Sequence, residues 1–600
     1  MIAFICIFLM PIISVWIHYG NQAFARKNIL KSAKAYVGYA VSIVFLSCMV
    51  IVYGFHNTGN IVANIAKYGD FAAHYLLLSG ALAVILPLLM KYLWPVTLQI
   101  SWQSSNCPVH QALSSPSLKW GLALFTCVML TVLMLLCAFD NTFWGDEAFS
   151  ILLIPNSIPD IIVRTSKDVH PPLYYLILKF FVTFLGAHGW VYHFASIVPA
   201  VLGLVFAMTK IRRRFGFKTA LLFSLLSVLS KPALTYNVEV RMYSWANLFV
   251  LLTFWYGFEL LSRRTKSDWV CFVLSGLCAA YTHYYALIAV AFIYLGVFAV
   301  LIYRNVRSWK SCLLCGVVTV IGYLPWLGIL LTTFRRTSTN WWATDIPTVK
   351  QSLEFLFGND QLGQFLFWIG VLSLAIYLLL SLVKISVDRS SDSTVISVSN
   401  PKSSSERSTL NAWLIIGLAA ILGTFFTGEA VSHLIRPLFR VRYLYCVNGI
   451  LWMLLVILFI KIFSKRWLSI VLACVILVLG LQSWGDTYQR YMLYDKNTTS
   501  TLQYMQENAD SDDLLLSNME HFTWTILDYY FPHMQNASFS IDALKDSDAN
   551  TVWLLLSSKL DDATIDQIQS AGYTNEYIQN GQLGTYNYAL YRLDRTEPME

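Results

Sequence analysis

Residues 118–150, LKWGLALFTCVMLTVLMLLCAFDNTFWGDEAFS, form an apolar run followed by the acidic pair Asp146-Glu147. An apolar stretch of about 20 residues is long enough to cross a bilayer as a helix. The segment 170–175, HPPLYY, comes soon after the pair and adds a histidine near the same boundary. Because carboxylates and histidines beside a membrane are costly to desolvate, a loop that carries them there usually has a chemical or binding role.

The composition of the whole chain identifies a polytopic membrane protein. Of its 600 residues, 57% are hydrophobic and 13% are charged, and the mean hydropathy is +0.57. These values exclude an ordinary soluble protein. The net charge of +8 indicates how the loops are distributed between the two sides of the membrane. It is not interpreted as a nucleic-acid-binding surface, so no nucleic-acid partner is expected.

Hydropathy predicts about fourteen membrane spans, and the charges of the loops predict their orientation. The spans lie near residues 2–18, 35–55, 71–91, 118–139, 190–209, 219–237, 244–262, 269–282, 286–304, 311–331, 364–384, 410–427, 443–463 and 467–485. Basic residues at 26–34 follow the first span, so we expect the N-terminus outside the cell membrane and these residues inside. Alternation then puts the later basic segments inside as well, at 210–214, 263–266, 304–310, 384–409 and 465–466.

The apolar residues 173–187 cannot span the bilayer without inverting this charge pattern. A span there would export the arginines at 212–214. We therefore predict that 173–187 form an interfacial helix that begins after two prolines. Residues 140–189 then form one large external element, which carries Asp146, Glu147 and His170.

The composition changes beyond residue 486. Residues 497–600 contain acidic turns, short apolar runs at 514–516 and 552–556, and helical periodicity near 562–570. This mixture predicts a small extracellular α/β domain. The expected organisation is a three-helix membrane extension at 1–117, a membrane core at 118–485 and the external domain at 486–600.

The Ser-rich segment 386–409 separates two of the predicted spans. Its serine content and scattered charges predict a mobile cytoplasmic linker.

Three further polar clusters lie at predicted outer ends of spans. They are EVRMY at 239–243, HYY at 283–285, and the group Arg436, Arg440, Arg442 and Tyr443. Arginines at the outer boundary run against the positive-inside bias. Because guanidinium groups bind phosphate bidentately, these clusters predict a site for a phosphate at the outer leaflet.

Each cluster also has a purely structural interpretation. The acidic pair could cap a helix, and His170 could be a turn residue before the prolines. Glu239 and Arg241 could pair only with each other, and the remaining residues could be belt aromatics or snorkelling arginines. The convergence of four clusters on one side of one membrane favours a common site.

Taken in order, these motifs resemble those of the GT-C glycosyltransferases, and within them the protein O-mannosyltransferases and lipid A aminoarabinose transferases (family 39 type). The resemblance covers about residues 118–485 and rests on five motifs, namely 144–148 (WGDEA), 170–175 (HPPLYY), 239–243 (EVRMY), 282–285 (THYY) and 442–444 (RYL). It implies an all-α polytopic GT-C fold with interfacial helices in the first large external loop. It also implies an enzyme that moves a sugar from a polyprenyl phosphate to an acceptor outside the membrane.

The resemblance assigns candidate roles. Asp146 is the candidate general base, and Glu147 is its partner in setting charge or orienting the acceptor. The carrier phosphate and the sugar would be contacted by the remaining candidates, His170, Tyr174, Glu239, Arg241, Tyr243, His283, Tyr284, Arg440, Arg442 and Tyr443. A base for the acceptor hydroxyl and cations for the leaving phosphate fit this chemistry, and a single displacement would invert the anomeric carbon. His193 departs from the family pattern, which often has an arginine near this position.

The expected partners are a polyprenyl-phosphate-linked sugar, membrane lipids, and a protein, wall polymer or glycolipid as acceptor. No obligatory metal is expected, although Asp146, Glu147 and Glu239 could in principle ligate a divalent cation. A transporter or flippase for a lipid-linked sugar is one alternative, but such proteins tend to carry polar residues at mid-membrane within repeats. A non-catalytic membrane scaffold is the other alternative.

Overall fold

The structure is a computed structural model that describes most of the chain beyond residue 115. The described residues are 116–138, 142–339, 345–382, 384–390, 393–399, 405–434, 437–463, 466–519, 522–583 and 586–596. The three spans predicted before residue 118 lie outside them, and so does Arg436.

The first half of the described chain is helical. Its helices are α1 (Pro116–Leu136), α2 (Gly145–Leu152), α3 (Ile158–Ser166), α4 (Leu173–Leu185), α5 (Gly189–Phe206), α6 (Arg212–Phe215), α7 (Phe217–Leu229), α8 (Lys231–Tyr236), α9 (Tyr243–Ser262), α10 (Lys266–Thr282), α11 (Tyr284–Arg304) and α12 (Trp309–Thr339). A π-helical turn at Ala207–Ile211 joins α5 to α6, and a 3-10 turn at Val306–Ser308 precedes α12.

The chain from Val349 to Asn508 is also mainly helical, with one pair of strands. Its elements are α13 (Val349–Phe357), α14 (Gln361–Leu382), strands β1 (Lys384–Ser390) and β2 (Ser393–Ser399), α15 (Ser405–Leu434), a 3-10 turn at Val441–Val447, α16 (Asn448–Ile462) and α17 (Arg466–Asn508).

Six helical stretches in the described part of the chain are long and apolar enough to cross a membrane. They are Gly189–Phe215, Tyr284–Arg304, Val306–Thr337, Thr409–His433, Val441–Ile462 and Trp467–Asn508. Four shorter apolar helices accompany them, at Trp120–Leu136, Leu173–Leu185, Phe217–Leu229 and Gln361–Tyr377.

Helices α2, α3 and α4 occupy the segment predicted to be the large external element. Ser157 caps α3, because its side chain accepts a hydrogen bond from the Asp160 backbone N–H at 3.3 Å. Helix α4 follows two prolines and ends at Gly186, whose φ of +88° is a conformation that glycine adopts without strain. With 13 residues, α4 is about 20 Å long, which is short of the roughly 30 Å hydrocarbon core.

Helix α9 is largely buried among the other helices of the bundle. Its Phe254 stacks on Trp413 of α15 with ring centroids 4.3 Å apart, and the Trp413 indole N–H donates to the Phe254 carbonyl at 2.9 Å. Gly257 of α9 faces Val297 of α11, and a Cβ atom on Gly257 would lie 2.9 Å from the Val297 side chain. Small residues of this kind let membrane helices approach closely.

The C-terminal domain is the predicted α/β domain. Its elements are β3 (Leu514–Ser517), α18 (Phe522–Tyr530), β4 (Gln535–Ser538), α19 (Ile541–Lys545), β5 (Thr551–Leu556), α20 (Asp562–Ser570), β6 (Tyr573–Leu583) and β7 (Tyr586–Arg595). The strand order is β4-β3-β5-β7-β6. Strand β3 runs parallel to β4 and β5, whereas β7 runs antiparallel to β5 and β6.

One face of this sheet packs on the membrane core. Leu515 and Trp553 are fully buried in the same apolar cluster as the membrane helices. Leu516, Leu554 and Ile568 form a separate cluster on the opposite face, where α20 covers the sheet. Side chains alternate between the faces of a strand, so the unbroken apolar runs of β3 and β5 follow from burial on both sides.

Two segments differ from the sequence prediction. The predicted linker at 386–409 contains most of the antiparallel hairpin β1–β2, whose β-branched residues alternate with polar ones in the manner of strands. Helix α17 runs unbroken for 43 residues, from Arg466 to Asn508, across the domain boundary predicted at 486.

Candidate active site

The acidic pair lies in the first turn of α2, and Glu147 connects two segments there. Its Oε1 accepts a hydrogen bond from the backbone N–H of Val240 at 2.8 Å, and its Oε2 accepts one from Trp144 at 3.3 Å. The side chain is buried, and burial raises its pKa. Because both oxygens are occupied by backbone donors, Glu147 holds the loop before α9 against the start of α2.

Replacement of Glu147 with Ala is expected to destabilise the protein by about 2 to 4 kcal/mol, because two buried N–H groups lose their acceptor. Thermal unfolding in detergent would measure this loss. The same substitution at Glu354, which is exposed on α13, is the control and should leave the midpoint unchanged. Equal midpoints for both variants would contradict the connecting role of Glu147.

Asp146 lies between two arginines. Its Oδ2 is 3.1 Å from Nη2 of Arg442 and 3.9 Å from Nη2 of Arg241. Neither contact has hydrogen-bond geometry, and among the described residues this buried oxygen has no hydrogen-bond partner. The carboxylate is therefore held by charge and keeps a lone pair that can accept a proton or a hydrogen bond.

Arg241 is enclosed by residues of α2, of α4 and of the loop between α3 and α4. Its Nη1 donates to the Asp146 carbonyl and to Ser150 Oγ, each at 3.1 Å, and lies 3.5 Å from the Tyr175 hydroxyl. Its Nη2 is 3.4 Å from His170 Nδ1. No ion pair with Glu239 is found in the described part of the chain, so the interpretation that these two pair only with each other does not hold.

His170 and His283 face each other beside Arg241, with ring centroids 5.6 Å apart. His170 Nδ1 lies 3.4 Å from Asp168 Oδ2. His283 Nδ1 accepts a hydrogen bond from the Tyr285 backbone N–H at 3.1 Å, which assigns its proton to Nε2. Burial lowers the pKa of both histidines, so both are neutral near pH 7.

Glu239 is a buried carboxyl that lines a cavity. Among the described residues its Oε1 has no hydrogen-bond partner. Burial, and then the charge of Glu147, raise the pKa of Glu239 to about 8, although Arg442 acts in the opposite direction. At neutral pH Glu239 is therefore mainly protonated and can donate a hydrogen bond.

The raised pKa of Glu239 predicts a pH dependence of stability. A carboxyl whose pKa is higher in the folded state binds its proton more tightly there, so its contribution is lost as the pH rises from about 4.5 to about 8. In Glu239→Gln, the midpoint temperature of unfolding should decrease less across this pH range than in the wild type. Thermal unfolding at several pH values, with Glu354→Gln as control, checks this expectation. Parallel curves for wild type and Glu239→Gln would refute it.

The third cluster lies on the 3-10 turn Val441–Val447. The Arg442 guanidinium lies 5.5 Å from the Trp144 ring centroid, and its side chain is 20% exposed. Tyr443 is buried, with ring centroids 5.1 Å from His283 and 4.9 Å from Tyr285. Arg440 is half-buried at the start of the turn.

A cavity of about 820 Å³ opens beside these residues. Its walls come from α2, α8, α13 and α17 and from the loop before α9. The lining includes three cations and three carboxyl groups, namely Lys231, Arg442, Arg490, Glu147, Glu239 and Glu354. Lys231 Nζ donates to Thr487 Oγ1 at 3.1 Å, which ties the start of α8 to α17. The cavity therefore has room for a phosphorylated ligand and cationic groups that can contact its phosphate.

Most of the predicted site residues come together, but two tyrosines do not join them. Tyr174 makes a hydrogen bond with Ser196 at 3.1 Å, and Tyr284 accepts one from the Trp326 indole at 3.2 Å. Tyr243 is buried at the start of α9, with its ring centroid 5.8 Å from that of His283.

Several members of the cluster were missed by the sequence prediction. Ser150 follows Asp146 by one helical turn, a spacing that places both on one face of α2. Asp168 precedes His170 by two residues, and Tyr175 is the neighbour of the predicted Tyr174. His193, which departs from the family pattern, makes a 2.9 Å contact with the Val238 carbonyl and lines the cavity.

Two of the three carboxylates that could ligate a divalent cation contact protein groups. Asp146 is flanked by arginines, and both oxygens of Glu147 accept backbone hydrogen bonds. Across the described residues, no group of three His, Cys, Asp or Glu side chains converges to hold a metal ion.

Comparisons with known proteins found similar solved structures. ArnT from Cupriavidus metallidurans bound to undecaprenyl phosphate is 11% identical, with a TM-score of 0.51 and coverage of 78% of this chain and 98% of that chain. The apo structure of the same protein gives 12% identity, a TM-score of 0.49 and the same coverage. An Archaeoglobus fulgidus oligosaccharyltransferase in complex with Zn and sulfate is 12% identical, with a TM-score of 0.41 and coverage of 77% of this chain and 73% of that chain. No family model and no curated protein sequence matches the chain.

The similarity to the undecaprenyl phosphate complex of ArnT establishes a common fold. It extends over almost the whole of that structure, although the sequences have diverged to 11% identity. Together with the apolar helices, it identifies the chain as a multi-pass membrane protein. This chain has the GT-C fold that its motifs predict.

Proposed function

We propose that the protein is a membrane glycosyltransferase that moves a sugar from a polyprenyl phosphate to an acceptor on the outer side of the membrane. The observation that carries this proposal is the Asp146 carboxylate, whose Oδ2 has no hydrogen-bond partner among the described residues and lies 3.1 Å from Arg442, a residue that lines the 820 Å³ cavity. A proton acceptor beside a phosphate-binding cation is what this transfer requires. The shared fold with a structure of ArnT bound to undecaprenyl phosphate supports this carrier class.

The proposed reaction is a single displacement. Asp146 accepts the proton of the acceptor hydroxyl while the hydroxyl oxygen attacks the anomeric carbon. The bond from that carbon to the carrier phosphate oxygen breaks, and the anomeric configuration inverts. Arg442 then stabilises the charge that develops on the leaving phosphate, so the chemistry uses a guanidinium for this purpose.

The surrounding residues have positioning roles in this proposal. Arg241 and Glu147 fix the first turn of α2 against the loop before α9, which sets the direction of the Asp146 side chain. Protonated Glu239 donates a hydrogen bond to an oxygen of the bound sugar or phosphate. His170, His283 and Tyr443 enclose the cluster and exclude water from it.

A comparison of cells with and without the gene tests the function. We expect cells that lack the protein to accumulate one polyprenyl-phosphate-linked sugar and to lose that sugar from a surface product. Mass spectrometry of extracted lipids and of surface glycans measures both pools. Unchanged levels in both pools would reject the proposed transfer.

The proposed orientation places the cluster and the C-terminal domain outside. A thiol-reactive or epitope label near residue 395, in the β1–β2 hairpin, should then be reached only after permeabilisation, because the proposed orientation makes that hairpin cytoplasmic. A label at the C-terminus should be reached in intact cells. Accessibility of both labels from the same side would contradict the interfacial assignment of α4.

A further inference from the structure

A second cavity, of about 520 Å³, lies between the C-terminal sheet and α17. It shares Asn497 of α17 and Gln582 of β6 with the cavity that Arg442 lines. The two cavities therefore adjoin, and a ligand in the second can extend to the candidate active site. The proposed transfer assigns no role to this second space.

A row of amide side chains forms one wall of the second cavity. Gln582 and Asn587 are direct partners across the antiparallel strands β6 and β7, and Asn580 pairs with Ala589 two residues further along. Residues separated by two positions share a face of a strand, so the three amides lie on one face of the hairpin.

The opposite wall is also polar and carries little charge. It includes Ser500 of α17 and the segment 557–559, with two serines and Lys559, after β5. Among the described lining residues Lys559 is the one charged side chain, and its Nζ lies 4.4 Å from the Tyr577 ring centroid. Amides and hydroxyls both donate and accept hydrogen bonds, which matches a ligand with many hydroxyl groups.

The domain that carries this cavity is hydrogen-bonded to the segment around the start of α2. The backbone N–H of Phe143 donates to the Tyr530 hydroxyl at 3.0 Å, and Thr525 Oγ1 donates to the Gly145 carbonyl at 3.1 Å. Both bonds join α18 to the start of α2, which bears Asp146. A ligand bound to the sheet is therefore held at a constant position relative to the proposed base.

We propose that the second cavity is the acceptor subsite and that the acceptor is a saccharide chain. This inference rests on the proposed function and specifies its acceptor class. The amides Asn580, Gln582 and Asn587 bind sugar hydroxyls, while the carrier phosphate occupies the neighbouring cavity beside Arg442. A polyprenyl chain or an apolar peptide would leave these amides without hydrogen-bond partners, which disfavours such acceptors.

Binding to the full-length protein in nanodiscs tests this inference. The probes are delipidated surface polysaccharide from cells that make the protein and, separately, undecaprenyl phosphate. We expect the double variant Asn580→Ala/Asn587→Ala to weaken polysaccharide binding by about ten- to thirty-fold, because each lost amide removes a hydrogen bond. Undecaprenyl phosphate binding should stay unchanged in this variant.

The matched control is Gln569→Ala, which removes an exposed amide of α20 outside the cavity. It should bind both probes as wild type does. Two results would overturn the acceptor subsite but not the proposed carrier. One is unchanged polysaccharide affinity in the double variant, and the other is a wild-type protein that binds undecaprenyl phosphate but no polysaccharide. Failure of wild type to bind undecaprenyl phosphate would instead overturn the proposed carrier, and with it the function.

Discussion

Replacement of Asp146 with Asn is expected to reduce sugar transfer by about a thousand-fold or more, because the amide cannot accept the proton of the acceptor hydroxyl. Asn has nearly the same shape, so expression and membrane insertion should be preserved. The affinity for undecaprenyl phosphate should not fall, since the variant removes a negative charge 3.1 Å from Arg442. Single-turnover transfer and carrier binding, measured on the same preparation, separate these two effects.

The control for this variant is Asp160→Asn on α3. Asp160 is exposed in the first turn of α3 and lies outside the cluster, so its substitution removes the same charge without changing the proposed base. Full transfer activity in Asp146→Asn would exclude Asp146 as the base. A parallel loss in Asp160→Asn would point to a general effect of charge on the external element.

Replacement of Arg442 with Ala is expected to weaken undecaprenyl phosphate binding by about ten- to one-hundred-fold, the usual value of a hydrogen bond to a charged group. Arg442 lines the cavity, whereas the hydrogen bonds of Arg241 are directed to Asp146 and Ser150 of α2. Arg442→Lys should give an intermediate affinity, because an ammonium keeps the charge but loses bidentate geometry. Equilibrium binding in nanodiscs measures both variants.

Arg164→Ala provides the matched control for Arg442. Arg164 is an exposed arginine in the last turn of α3. If Arg442 acted only by long-range attraction of the anionic carrier, Arg442→Ala and Arg164→Ala would lose affinity to a similar extent. High salt would then remove the difference in affinity between these variants and the wild type. Unchanged carrier affinity in Arg442→Ala would contradict its phosphate role.

Much of the candidate site could be predicted because its signals are local. Apolar runs of span length, basic loops on one side and polar residues on the other are visible in short windows of sequence. They placed Asp146, Glu239, His283 and Arg442 at common boundaries before any contact was known. The short apolar runs at 514–516 and 552–556 likewise predicted the strands there.

The roles of individual neighbours could not be predicted in the same way. Adjacent residues on a helix point about 100° apart, so the choice between Tyr174 and Tyr175 depends on which face of α4 packs inward. Tyr175 contacts Arg241 and Tyr174 contacts Ser196. The same rotation directs Tyr284 toward Trp326 instead of the cluster.

The sequence by itself determined a multi-pass membrane protein with an acidic pair, two histidines and several arginines at one boundary, because hydropathy and charge act over single spans. Tertiary structure alone decided that Glu147 connects two backbone segments, that Arg442 lines the cavity while Arg241 is enclosed, and that the C-terminal sheet adjoins the site. Glu147 and Val240 are 93 residues apart, and Asp146 and Arg241 are 95 apart. Contacts over such separations are fixed by helix packing, which no short window of sequence encodes.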